Sequence, residues 1–196
     1  MRTALIVGAS GLTGGFCLEL LLNDDAYDKV IALNRRTLPT SHNKLEQCIV
    51  DFDNLQQSAD RICADDVFCC LGTTIKTAGS REAFRKVDMT YPAEIARIAS
   101  ANGCEQFLVI SAPESSPKSP FFYGRVKAEM ERAISGQPFS VGTYIFRPSL
   151  LLGERDEARF AEDLGIKIFS AMPFQFAGPM QKLRPIPAKA QYLITN

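Results

Sequence analysis

Two side chains stand out for their type and spacing. Tyr123 and Lys127 are four residues apart in a stretch that reads as helical, from about Phe121 to Ile134. That spacing puts both on one face, one turn apart. An ammonium beside a phenol favours the phenolate, so the Tyr123 pKa is expected below its ordinary value of ~10. Such a tyrosine can pass a proton to or from a substrate oxygen. Lys127 can in addition bond a ribose hydroxyl. Ser111 follows the apolar run Phe107 to Ile110. The end of a strand in an open α/β sheet is where functional groups collect, and a hydroxyl there can orient a carbonyl. Taken alone, Y-x-x-x-K is common, and a surface tyrosine beside a solvated lysine is its ordinary explanation.

A second constellation sits near the N-terminus. Gly8-Ala9-Ser10-Gly11-Leu12-Thr13-Gly14 has the spacing G-x-x-G-x-x-G. Gly8 permits a tight exit from a strand, Gly11 lets backbone approach a pyrophosphate, and Gly14 allows helix to pack on strand. The helix that follows offers free N–H groups and its positive dipole end. Ser10 and Thr13 add hydroxyls, and Leu12 lies between them. The pattern follows one apolar run and opens a helical one, which is the context that gives such a motif its meaning.

The identity of the dinucleotide is read at the end of the second apolar run. NAD binders place an Asp or Glu there, ~20 residues beyond the turn, against the ribose hydroxyls. Here the position is Asn34, followed by Arg35 and Arg36. An acid would repel a 2′-phosphate, whereas guanidiniums bind it with charge-assisted bonds. NADP(H) is therefore favoured over NAD(H). Asp51 and Phe52 end a third run and are expected to flank the adenine. Asp51 also suits a helix cap.

The elements that must hold these residues follow from the hydrophobic pattern. Short apolar runs at Ala4–Val7, Val30–Leu33, Cys48–Val50, Val67–Leu71, Phe107–Ile110 and Val141–Phe146 read as strands. Helical stretches fall between them at Phe16–Leu22, Leu55–Arg61, Arg81–Asn102 and Phe121–Ile134. Pro92 forces a break or a start in the third of these. Alternation of this kind predicts an α/β fold, a doubly wound parallel sheet of Rossmann type with helices on both faces. The 196 residues suit one domain. From Arg155 the composition changes to Phe160, Phe169, Phe174 and Phe176 among Pro173, Pro179, Pro185 and Pro187. Residues 155–196 are expected to form a small substrate cap on that single domain.

Bulk composition narrows the class. Lys plus Arg and Asp plus Glu are 22 each, so no net charge argues for nucleic acid or an anionic membrane. The six cysteines form no C-x-x-C pair, and Cys69 and Cys70 are adjacent. They read as reduced thiols of a cytoplasmic protein. His42 is the single histidine, and no metal site is expected. The first apolar run is too short for a signal-peptide core.

With these motifs in place, the sequence resembles the short-chain dehydrogenase/reductase superfamily, in its atypical G-x-x-G-x-x-G branch. Within that branch it is most similar to the Tat-interacting-protein-like (CC-three-type) NAD(P)-binding proteins. The matching stretches are Gly8 to Gly14, Arg35-Arg36, Val50-Asp51-Phe52 and Phe68-Cys69-Cys70-Leu71-Gly72-Thr73-Thr74. Val87-Asp88, Phe107 to Ser111, Tyr123-Gly124-Arg125-Val126-Lys127 and Phe146-Arg147-Pro148 match as well. The resemblance implies NADP(H) in the cleft, with Leu71, Gly72 and Thr73 lining it and Pro148 and the next residue near the nicotinamide. It implies that Ser111, Tyr123 and Lys127 form the catalytic set. Ala112 departs from the many relatives with a second serine there. The chain ends at Asn196, where relatives commonly continue through another helix, so either the cap is short or the chain is shortened.

The expected function is NADP(H)-dependent oxidation or reduction of an alcohol or carbonyl substrate by a monomer or homodimer. The alternative is a non-catalytic NADP(H)-binding regulator or redox sensor that acts through a protein partner, with the Phe-rich tail as its surface. A third, minor reading is an isomerase or epimerase.

Overall fold

The computed structural model describes residues 2–148. Six strands, β1 (Arg2–Val7), β2 (Tyr27–Asn34), β3 (Leu45–Ile49), β4 (Asp66–Cys69), β5 (Gln106–Ile110) and β6 (Gly142–Phe146), form one sheet in the order β3-β2-β1-β4-β5-β6. Every neighbouring pair is parallel. Five α-helices accompany them: α1 (Leu12–Leu22), α2 (Ile75–Ala78), α3 (Arg81–Arg85), α4 (Tyr91–Ala101) and α5 (Phe122–Ser135). The doubly wound Rossmann sheet is as expected. The proposed cap, residues 155–196, lies outside the described residues.

The continuous apolar character of β1 follows from its place in the middle of the sheet. Leu5 and Val7 face one core with Phe107, Ile95, Ala96, Met130 and Ile134, supplied by β5, α4 and α5. Ala4 and Ile6 face the other, with Leu18, Leu21 and Leu22 of α1. Both faces are covered, so alternation of polar and apolar residues disappears. Each fully buried large side chain contributes about 1.5–3 kcal/mol of transfer free energy.

The end of the sheet remote from the glycine turn is closed by charge. Asp66 is 1% exposed. Arg2 donates to both its oxygens, at 2.6 and 3.1 Å, and the Tyr27 hydroxyl donates to Oδ2 at 2.7 Å. These bonds tie β1, β2 and β4 together.

Three local departures have physical causes. The stretch expected as a helix at Leu55–Arg61 is a 3₁₀ helix over Phe52–Arg61, with non-helical dihedrals at Asn54 and Ser58. Asn and Ser compete with the helical ladder through their own side chains, and Asn54 Nδ2 donates to Asp51 Oδ2 at 2.6 Å. Helix α2 was not expected. Thr74 caps it by accepting from Thr77 N, and Gly79, at φ +84°, ends it. The long helical stretch from Arg81 is continuous in chain but passes through one π-helical segment, Lys86–Thr90, between α3 and α4. Pro92 lacks an N–H, and in a regular helix its ring would meet the Asp88 carbonyl. Widening the turn relieves that clash. Among the described residues, no helix is long and apolar enough to cross a membrane.

Candidate functional site

Strand order reverses between β1 and β4, and the crevice at that switch point lies at the carboxyl ends of the strands. Gly8 leaves β1 at φ +85°. A Cβ there would lie 2.7 Å from the Cys70 carbonyl group, so only glycine fits between β1 and the β4 exit. A Cβ on Gly14 would strike the Gly8 carbonyl. Gly11 differs: it is exposed, and a Cβ would approach only the Gly8 oxygen, at 3.4 Å. Gly11 is also the N-cap of α1 and supplies no capping side chain, and no acid lies in the first turn. The first-turn N–H groups have no intrahelical partners. The two outer glycines thus satisfy packing, and the middle one leaves backbone open to an anion. Ser10 is exposed beside it, while Leu12 and Thr13 are half-buried in the first turn. The glycine cradle fits a dinucleotide pyrophosphate.

At the end of β2, Asn34 is buried and bonds back to the Ala32 carbonyl, and Arg35 and Arg36 are exposed. Arg35 lies near enough to Tyr91 to oppose the rise in that phenol's pKa, which burial first and Asp53 second push up to about 12. Asp51 caps the 3₁₀ helix by accepting from Asp53 N at 3.0 Å and from Asn54. Phe52 is buried, with its ring 5.5 Å from that of Tyr91. The Asp51 carboxylate is therefore engaged as a cap, and Phe52 belongs to the core.

Tyr123 and Lys127 share the inward face of α5. Lys127 is 3% exposed, and its Nζ pairs with Asp88 Oδ1 at 2.8 Å. Asp88, 1% exposed in the π-helical segment, also accepts from Thr73 N at 2.9 Å through Oδ2. Leu71 and Gly72 precede Thr73 at the exit of β4. Gly72 sits over the Asp88 carboxylate, where a Cβ would lie 3.6 Å from Oδ1. Burial disfavours the Lys127 ammonium, but Asp88, then Tyr123, outweigh it and raise its pKa. The Asp88 carboxyl is itself raised by burial, against the pull of Lys127 and Thr73.

The expectation for Tyr123 is corrected here. Its pKa lies above the ordinary 10.0, not below. Burial is the main cause. Lys127 pulls the other way, while Asp88 and Glu114 push up. The lysine's charge is offset by Asp88, a residue that spacing along α5 could not reveal. The Tyr123 ring packs on Phe84 of α3 at 5.7 Å between centroids.

Ser111 is buried at the end of β5, apart from this ion pair in its bonding. Its Oγ donates to Glu131 Oε1 at 2.5 Å and shares a 2.9 Å bond with Ser115 Oγ. Glu131, one turn beyond Lys127 on α5, is held by Arg147 through both oxygens, at 2.9 and 2.5 Å. Pro148, after β6, is half-buried. The residue after it lies outside the described residues. Asp88, Glu131 and Arg147 were not singled out from the sequence as site residues. The clue to Asp88 was its place four residues before Pro92.

Comparison with known proteins agrees with this geometry. Residues 4–195 match the model of the NAD dependent epimerase/dehydratase family. Protein HTATIP2 of Rattus norvegicus is 36% identical over 180 residues, covering 90% of this chain and 74% of its own. Protein FMP52, mitochondrial, of Meyerozyma guilliermondii is 32% identical over 170 residues, covering 85% and 73%. The structure of the Bordetella bronchiseptica enzyme WbmH in complex with NAD+ shares the fold, with a TM-score of 0.67 at 16% identity. It aligns over 80% of this chain, which spans 58% of that one. The resemblance to Tat-interacting-protein-like relatives is borne out, and the chain belongs to the NAD dependent epimerase/dehydratase family.

Proposed function

We propose that the protein is an NADP(H)-dependent oxidoreductase acting on a carbonyl or alcohol substrate. The observation that carries this reading is the buried Lys127–Asp88 pair with the half-buried Tyr123 one turn away on α5, in a sheet whose switch point carries an open glycine turn. Bound NADP(H) supplies or accepts a hydride. Gly8, Ser10, Gly11, Leu12, Thr13 and Gly14 hold its pyrophosphate. Arg35 and Arg36 take the 2′-phosphate, with Asp51 and Phe52 on the adenine side. Leu71, Gly72, Thr73 and Pro148 line the cleft towards the nicotinamide.

Tyr123 holds the proton that the substrate oxygen takes up or gives back, and Lys127 bonds the ribose next to it. Ser111 orients the substrate oxygen. To donate to it, Ser111 must release Glu131, which keeps Arg147 as its partner. That engaged hydroxyl is the one observation favouring the alternative, a binding protein without turnover. A cytoplasmic location rests on the six free cysteines. The FMP52 relatives carry "mitochondrial" in their names, so fractionation of the source cells decides the compartment. The activity test is a panel of aldehydes and ketones with NADPH. Turnover by the wild type, lost by at least a hundredfold in Tyr123→Phe with NADPH binding retained, supports the enzyme. Tight binding with no turnover across the panel supports the regulator.

A further inference from the structure

Ser111, at the end of β5, belongs to a row of four polar side chains drawn from separate parts of the fold. Arg147, after β6, holds both oxygens of Glu131 on α5, at 2.9 and 2.5 Å. Glu131 accepts from Ser111 Oγ at 2.5 Å, and Ser111 Oγ lies 2.9 Å from Ser115 Oγ. A tight turn brings Ser115 there. Pro113 stands second in Ala112-Pro113-Glu114-Ser115, where its fixed φ suits a turn, and Ser115 N donates to the Ala112 carbonyl at 3.2 Å. The residues on either side of Ser115 lie against the first turn of α5, which carries Tyr123. Ser116 N donates to the Gly124 carbonyl at 3.3 Å, and a Cβ on Gly124 would come within 2.5 Å of the Glu114 carbonyl oxygen.

The two hydroxyls differ in what binds their hydrogens. A serine has one hydrogen to give. Ser111 gives its own to the Glu131 carboxylate, so the bond between the two serines is donated by Ser115. Ser111 is 5% exposed and Glu131 7%, whereas Ser115 is half-buried. A hydrogen bond to a charged group is roughly twice as strong as one between neutral groups. Turning Ser111 towards a ligand leaves a buried carboxylate short of a donor. Turning Ser115 gives up only a neutral bond, and Ser111 keeps Glu131. The hydrogen that is easier to release is therefore that of Ser115.

We propose that Ser115 is the hydroxyl that touches the substrate oxygen, with Ser111 held behind it by Glu131 and Arg147. This rests on the oxidoreductase reading and deepens it: Ser111 orients the substrate oxygen through Ser115 and need not release Glu131. It also assigns a hydroxyl to a turn whose Ala112 has none. Ser115 donates a hydrogen bond and transfers no proton, so the contact serves a carbonyl and an alcohol oxygen alike. Glu131 is a positioning residue, because its carboxylate fixes the direction of both hydroxyls.

The test compares Ser111→Ala, Ser115→Ala and Ser115→Thr in two readouts. Melting needs neither substrate nor cofactor. Ser111→Ala is expected to lower Tm by about 4 °C or more, and Ser115→Ala by less than half as much. Equal losses, or the reverse order, would show Ser115 to be as firmly held as Ser111 and overturn the proposal. The second readout is reduction by NADPH of the carbonyl compound in the panel that the wild type turns over fastest. Ser115→Ala is expected to lower kcat/KM for that compound by about tenfold or more, with the KM for NADPH unchanged. Ser115→Thr keeps the hydroxyl and is expected to recover most of the loss, a rescue that a packing role does not give. Full activity in Ser115→Ala, with the loss confined to Ser111→Ala, places the contact on Ser111 and overturns the proposal while the oxidoreductase reading stands. No turnover by the wild type anywhere in the panel removes that reading and the proposal with it. If Ser111→Ala does not fold, the two Ser115 variants still decide.

Discussion

Gly8, Gly11 and Gly14 are the same residue in one motif, yet they answer to different constraints. Gly8 and Gly14 have backbone where a Cβ would go, whereas a Cβ on Gly11 would meet only the Gly8 oxygen, at 3.4 Å. Gly11→Val should therefore leave the fold intact, with Tm lowered by no more than about 4 °C, a change of roughly 1 kcal/mol. It should weaken NADPH binding by at least tenfold, ~1.4 kcal/mol. Calorimetry and a melting curve separate the two effects, and loss of both together would mean that Gly11 is a packing residue like its neighbours. Tyr123 gives a second prediction at this scale. A group that donates a proton works only below its pKa, and this pKa is raised from 10.0. The rate of carbonyl reduction should then stay level through neutral pH and fall only above about pH 10. A fall centred near pH 7 to 8 would show a depressed pKa, with Lys127 dominant.

Elements matter because they set where those residues meet. Helix α5 presents Tyr123, Lys127 and Glu131 on one face, and its N-terminal turn is clamped by the β5–α5 loop. A Cβ on Gly124 would come within 2.5 Å of the Glu114 carbonyl and of Ser119 Oγ, and Ser116 N donates to the Gly124 carbonyl. Gly124→Ala should displace that loop and cost about 1–3 kcal/mol. Melting would show this as a loss of several degrees, and an unchanged Tm would show that the loop yields freely. The same elements explain what sequence could and could not reveal. The strands and the glycine turn are local patterns, so β1, α1, β2 and β5 lie close to where periodicity puts them. The Asp88–Lys127 pair joins residues far apart in the chain through a widened helical turn, and no spacing rule reports it. The direction of the Tyr123 shift is equally hidden, because it depends on burial and on that distant carboxylate. Ser111 was legible as a strand-end hydroxyl, but its bond to Glu131 was not, since Glu131 reads in sequence as one more helix charge.

At the scale of the molecule, the sheet separates two kinds of work. Its remote end is fastened by Arg2, Tyr27 and Asp66, and its carboxyl end gathers the glycine turn, the two arginines, the Thr73 loop and the Tyr123 group. This polarity is what a doubly wound sheet with a switch point between β1 and β4 provides. It makes cofactor choice a matter of the residues that follow β2: the buried, uncharged Asn34 and the exposed Arg35 and Arg36. The most direct test of the account is therefore a calorimetric titration of cofactor-free protein with NADPH and with NADH at one salt concentration. NADPH is expected to bind at least tenfold tighter, ~1.4 kcal/mol, with the difference lost when Arg35 and Arg36 are both replaced by alanine. Equal affinities, or no binding of either dinucleotide, would contradict it.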